Sequence, residues 1–171
     1  MQSPSMFRPW AVIGLLALTC ASVADAAYVT QCGVQAQEAL RRINAARAVG
    51  QRCGWRSMPP APPLHWNETL QTVATRHSQD MAVRNYFDHR SPDGRTIRER
   101  VSGTPYKFSL VGENLAGGDP TVTSAVQGWI ESPSHCENMM DPRFLDVAVA
   151  CVGRHGSQWG TYWTMVLGRR R

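Results

Sequence analysis

Apolar residues recur at helical spacing in three stretches of the chain. Over residues 34–49, Ala36, Ala39, Leu40, Ile43 and Ala46 mark one face, and Gly50 is a natural stop. Over 68–85, Leu70, Val73, Ala74, His77 and Met81 form one stripe, entered through Asn67, a good N-cap. His77 lies on that stripe and reads as a partly buried packing histidine. The third stripe holds Val122, Ala125, Val126, Trp129 and Ile130 and runs to about residue 131. Ahead of it, Asp119-Pro120 reads as a cap followed by proline at the first helical position. Pro133 ends this helix, and Ser132-Pro133 starts a short turn carrying His135. Thr96 and Glu99 form a capping box for a shorter helix at 97–101.

Other stretches carry a strand or breaker pattern. Residues 144–152 and 158–167 alternate or run apolar, with Gly153 to Gly156 between them, and predict an antiparallel hairpin. Residues 104–111 are apolar and aromatic enough for an extended segment leading into Gly112-Glu113-Asn114-Leu115-Ala116. The glycine opening that run, with Gly117-Gly118 behind it, suits a turn or irregular strand where backbone passes close to another group. Residues 51–63 hold Pro59, Pro60, Pro62 and Pro63 and predict an exposed connector, tied by Cys53. Pro92-Asp93-Gly94 is a turn signal just after Phe87-Asp88-His89.

A length of 171 residues favours one domain, and 43% hydrophobic residues exclude a disordered composition. Residues 1–26 read as a signal peptide: Arg8, then an apolar run from Trp10 to Leu18, then Ala24-Asp25-Ala26 as a cleavage pattern. The alternatives are an uncleaved anchor and a lipid-modified Cys20. The run is short against the roughly 20 residues of a bilayer span, and Thr19 is a poor neighbour for lipidation. Residues 27–171 then form the mature domain, periplasmic or extracellular.

Cleavage leaves Cys32, Cys53, Cys136 and Cys151, an even number in an exported chain, which points to two disulfides with three possible pairings. Cys32–Cys53 and Cys136–Cys151 are favoured because each pair flanks one local excursion. No pair has C-x-x-C spacing, which disfavours a cysteine metal site.

The net charge is +5, and Lys107 is the only lysine. Arg41, Arg42, Arg47, Arg52 and Arg56 cluster early, and Arg169-Arg170-Arg171 end the chain. A solvated arginine-rich surface is the plain reading; weak contact with anionic lipid or polysaccharide is the functional one. Nucleic acid is not expected, since basic and aromatic residues do not interleave.

Candidate chemistry lies in His89, Glu113, Glu131 and His135. Imidazole nitrogens bind zinc or a similar cation, and carboxylates orient the rings or hold bound water. Glu131 and His135 are spaced i,i+4, which on one helix puts them on one face; Pro133 between them speaks against a continuous helix and leaves an approach across a helix end as the alternative. Glu113 or Glu131 is also a candidate catalytic base. The plain alternative makes both histidines surface residues. Neither H-E-x-x-H nor G-x-S-x-G is present, so the common protease and esterase signatures are absent.

The order of motifs resembles the CAP superfamily of cysteine-rich secretory, antigen 5 and pathogenesis-related proteins, in its bacterial SCP-like branch. The matching pieces are Leu40 to Arg47, Leu64-His65-Trp66-Asn67, His77 to Ala82, Phe87-Asp88-His89, Gly112 to Ala116, Gly128 to His135 and Tyr162-Trp163-Thr164. The resemblance implies an α+β protein, a three-layer α/β/α sandwich with a central, mainly antiparallel sheet. It also implies a cleft lined by His89, Glu113, Glu131 and His135 that binds a divalent cation, zinc being the expected one. The expected protein is a monomeric binding module for an extracellular ligand: lipid, peptide or cell-envelope glycan. The rivals are a metal-assisted hydrolase of peptide or cell-envelope material and a lipid- or glycan-binding module with a purely structural cleft.

Overall fold

A computed structural model describes residues 29–33 and 36–171. The expected signal peptide, its cleavage site, Cys20 and the predicted start of the first helix at 34–35 lie outside the described residues. In chain order the elements are β1 (Val29–Gln31), α1 (Ala36–Val49), β2 (Gln51–Cys53), β3 (Arg56–Met58), β4 (His65–Trp66), α2 (Glu68–Arg84) and α3 (Ile97–Ser102). They continue with β5 (Phe108–Gly117), α4 (Val122–Glu131), α5 (Pro133–Met140), β6 (Asp146–Arg154) and β7 (Thr161–Arg170).

The sheet is ordered β1-β6-β7-β5, with β4 beside β6. Among the described strands only the two-residue β4 runs parallel to its neighbour; the other pairs in this sheet are antiparallel. Strands β6 and β7 read as unbroken apolar runs because both of their faces are covered. Val147, Val149 and Cys151 pack with Trp163, Met165 and Leu167 against Ala39 and Ile43 of α1, Trp129 of α4 and Met139 of α5. Ala148, Ala150 and Val166 pack against Leu70, Val73 and Ala74 of α2 and Val101 of α3. Helix, sheet and helix thus form the three layers of an α/β/α sandwich.

Several helix ends follow local chemistry. The Asn67 side chain accepts from the Leu70 amide at 3.1 Å and starts α2. Thr96 and Glu99 make the predicted capping box of α3. At α4 the cap is Thr121 rather than Asp119: its hydroxyl accepts from the Ser124 amide at 3.1 Å, and Ser124 bonds back to the Thr121 amide at 3.2 Å. This reciprocal pair satisfies two free amides and outcompetes Asp119-Pro120. Pro133 does end α4, but it also occupies the first turn of α5, so His135 stands on a helix and not a turn.

Three further expectations change. The connector at 51–63 contains a β2–β3 hairpin, and its Ala61 is buried. Arg47 is not part of a solvated surface: it is fully buried and donates to the carbonyls of Pro62 (2.8 Å), Met139 (2.6 Å) and Asp141 (3.1 Å). A guanidinium in a core survives because its donors are used on backbone acceptors. The disulfides are Cys32–Cys151 and Cys53–Cys136, in place of the favoured local pairs. Sheet pairing is the reason for the first: Gln31 faces Val152, and the Cys32 amide donates to the Cys151 carbonyl at 3.1 Å. The second staples the β2–β3 hairpin to α5, which local spacing alone does not reveal.

Candidate functional site

Strand β5 lies at the edge of the sheet, and its side chains alternate between the two helical layers. Val111 and Leu115 face the α2 layer, and Glu113 lies in phase with them. Gly112 and Ala116 face the opposite layer, as Asn114 does by the same alternation. The Gly112-to-Ala116 run is a regular strand, not a turn. It pairs with β7 in one unbroken register: Gly112 with Leu167, Glu113 with Val166 and Ala116 with Trp163.

Gly112 is required by close approach and not by its dihedral angles. A Cβ there would lie 2.7 Å from Phe144 Cζ and 2.8 Å from Asn138 Oδ1. The glycine lets α5 press against the strand beside Glu113.

Glu113 is buried, with 2% of its side chain exposed. Its Oε1 takes a hydrogen bond from His89 Nδ1 at 2.8 Å, and its Oε2 takes one from Arg100 Nη2 at 2.5 Å. Arg100, on α3, has only 7% of its side chain exposed. Its Nη1 donates to the carbonyls of His89 and Arg95, both at 3.0 Å, and to Ser91 Oγ at 3.2 Å. One guanidinium therefore fixes both the carboxylate and the loop that carries His89. A buried carboxylate needs such pairing to stay charged.

His77 is also here. It is fully buried on α2, donates from Nε2 to the Asp88 carbonyl at 3.0 Å and lies 3.9 Å from Glu113 Oε1. Burial pushes its pKa down, with the charge of Glu113 opposing. For His89 the hydrogen bond to Glu113 pushes the pKa up, against burial. The His135 imidazole goes down, first through burial and then through the charge of His89.

His135 is held from the other face of β5. Asn114 Nδ2 donates to the His135 carbonyl at 2.9 Å, and Asn138 Nδ2 donates to Asn114 Oδ1 at 2.8 Å and to the Glu113 carbonyl at 3.2 Å. Adjacent residues of one edge strand thus hold two of the candidate histidines: Glu113 bonds the His89 ring, and Asn114 bonds the backbone of α5 at His135. The Cys53–Cys136 bridge anchors that helix one residue further on. Glu131 is exposed at the end of α4, where its Oε1 accepts from Gln127 Nε2 at 2.8 Å.

Among the described residues no group of three or more His, Cys, Asp or Glu is arranged to hold a metal ion. The donor set fits a narrower role. Both oxygens of Glu113 are engaged, so it acts as an orienting group. With Nδ1 donating to Glu113, neutral His89 carries its lone pair on Nε2, the arrangement carboxylates impose on metal-binding histidines. Sequence reasoning missed Arg100, Asn114 and Asn138; only the glycine next to Glu113 hinted that another element presses there.

The fold is an α/β/α sandwich whose edge strand β5 carries the His89–Glu113–Arg100 assembly. Residues 40–167 match the model of the CAP, or cysteine-rich secretory protein, family, and the chain belongs to that family. It is 36% identical over 97 residues to the uncharacterized protein YkwD of Bacillus subtilis, a match covering 57% of this chain and 37% of that protein. A Bacillus subtilis membrane protein, YlbC, is 28% identical over 95 residues, covering 56% of this chain and 28% of that protein. The chain thus spans about a third of the length of these curated relatives. Among solved structures, an extracellular SCP-domain protein of Bacillus anthracis is similar with TM-score 0.60 and 27% identity, covering 79% of this chain and 41% of that one. An outer surface protein of Borrelia burgdorferi shares the fold, with TM-score 0.65 and 18% identity over 84% of this chain and all (100%) of that one.

Proposed function

We propose that this is a secreted CAP-domain binding module in which His89 and His135 hold a divalent cation of the zinc class. Glu113 orients His89, and the cation presents the cleft to an extracellular ligand of the peptide, lipid or cell-envelope glycan kind. The observation that carries the reading is the His89 Nδ1–Glu113 bond of 2.8 Å, which leaves Nε2 as the metal-facing nitrogen. Two protein ligands give an open, modest-affinity site that retains positions for water or ligand. Export is supported by the two disulfides and by the extracellular SCP-domain neighbour.

The geometry favours binding over hydrolysis. A base must reach a substrate proton, and the Glu113 carboxylate is buried and already bonded to Arg100 and His89. Glu131, exposed at the end of α4 and bonded to Gln127, keeps only a supporting role in this reading. Zinc titration by calorimetry tests the reading: the His89→Ala, His135→Ala double variant loses the binding seen in the parent. Unchanged affinity in that variant removes the metal role.

A further inference from the structure

Beside Arg100 lies a pocket of about 150 Å³ lined by Val73, Arg76, His77, Asp80, Ser91, Arg95 and Arg100. Two of its buried lining side chains have an atom without a hydrogen-bond partner: Arg100 Nε and His77 Nδ1. Both side chains are more than nine-tenths buried, at 7% and 0% exposed. Arg100 Nε is a donor. His77 Nε2 must carry the proton, because it faces the Asp88 carbonyl, so Nδ1 is an acceptor. Arg76 and Arg95 add two exposed guanidiniums at the rim. Arg95 is paired with Asp93 at 2.7 Å, whereas Arg76 has no ion-pair partner among the described residues. Asp80 is the acidic lining residue, and its oxygens are engaged by Tyr86 Oη at 2.6 Å and Arg84 Nε at 3.0 Å.

We propose that this pocket binds an oxyanion that carries a proton: hydrogen phosphate, or the singly ionised phosphomonoester end of a larger molecule, which keeps its O–H below about pH 6. The guanidiniums of Arg76, Arg95 and Arg100 meet its negative oxygens. Its own O–H donates to His77 Nδ1, a partner that fully deprotonated sulfate does not supply. Arg100 would then be shared between this anion and Glu113, so the pocket communicates with the His89 side through one side chain.

Calorimetry on the whole protein in chloride buffer tests this with inorganic phosphate, sulfate and phenyl phosphate. Saturable phosphate binding is expected, with sulfate about tenfold weaker for want of one hydrogen bond. Arg76→Gln with Arg95→Gln, both on the exposed rim, weakens phosphate by about tenfold or more. Arg41→Gln with Arg42→Gln, on α1, removes the same charge and leaves phosphate binding unchanged. Phenyl phosphate keeps its O–H only below about pH 6, so the titrations are repeated at about pH 5.5: phenyl phosphate binding there as well as phosphate assigns the site to phosphomonoesters, and its exclusion assigns the site to the free anion. Absence of saturable phosphate binding, equal loss in the two double variants, or sulfate binding as tightly as phosphate overturns the proposal.

Discussion

Arg100 and His89 grip one carboxylate from two sides: Arg100 Nη2 lies 2.5 Å from Glu113 Oε2, and His89 Nδ1 lies 2.8 Å from Glu113 Oε1. The arginine is deeply buried and the histidine is more than half exposed, at 57% of its side chain. The acid is therefore neutralised from inside and applied to a ring that faces outward.

Removing the charge of Glu113 should therefore cost stability. Glu113→Gln leaves Arg100 buried without its counter-charge, a situation that costs about 3–5 kcal/mol. Glu131→Gln changes an exposed carboxylate and should stay within about 0.5 kcal/mol of the parent. Urea unfolding of both variants distinguishes the two positions; equal, small effects would contradict the buried pairing.

The histidines give stability a pH dependence with two limbs. The folded-state values of His77 and His135 lie below the ordinary 6.5. Below about pH 6.5 the unfolded chain therefore binds more protons at these positions, and their stability is lost as pH falls toward the lowered values. His89 is raised above 6.5, so its contribution is present below that pH and lost as pH rises through its folded value. Urea midpoints from about pH 5 to about pH 9 should show both limbs, and His89→Ala should flatten the alkaline one. An alkaline limb that persists unchanged in that variant assigns it to another group.

The two disulfides close long loops, with sequence separations of 119 and 83. In the chain-entropy model each stabilises by about 4–5 kcal/mol. Peptide mass mapping should recover Cys32 joined to Cys151 and Cys53 to Cys136. Replacing Cys53 and Cys136 by serine should also weaken zinc binding, because it frees the helix that carries His135, whereas replacing Cys32 and Cys151 should lower stability alone.

Two glycines should respond in opposite directions to alanine. Gly112→Ala meets Phe144 and Asn138 below 3 Å and should cost about 1–3 kcal/mol by overpacking. Gly128, inside α4, has nothing within 4 Å of an added Cβ, and Gly128→Ala should stabilise by about 0.5–1 kcal/mol. Thermal unfolding of the pair checks both signs.

Much of this fold is written in local patterns. The stripes of α1, α2 and α4 and the apolar runs of β6 and β7 follow from periodicity, and Asn67 and Thr96 mark the starts of α2 and α3. What is not local escaped. The disulfide partners are set by strand pairing across the sheet, and Arg47 looks like any other arginine until its carbonyl partners from distant segments surround it. At the site, the motifs singled out His89 and Glu113, which do meet. Arg100, the third member, is hidden in a run of charged residues on α3, because no periodic signal separates a buried arginine from a solvated one.

The most direct test of the metal-binding proposal is nitrogen NMR of the imidazoles with and without zinc. Without zinc, neutral His89 is expected to carry its proton on Nδ1. Zinc should then shift the Nε2 resonance of His89 together with a ring nitrogen of His135. Zinc that leaves both rings unmoved, or a neutral His89 carrying its proton on Nε2, would contradict the proposed site.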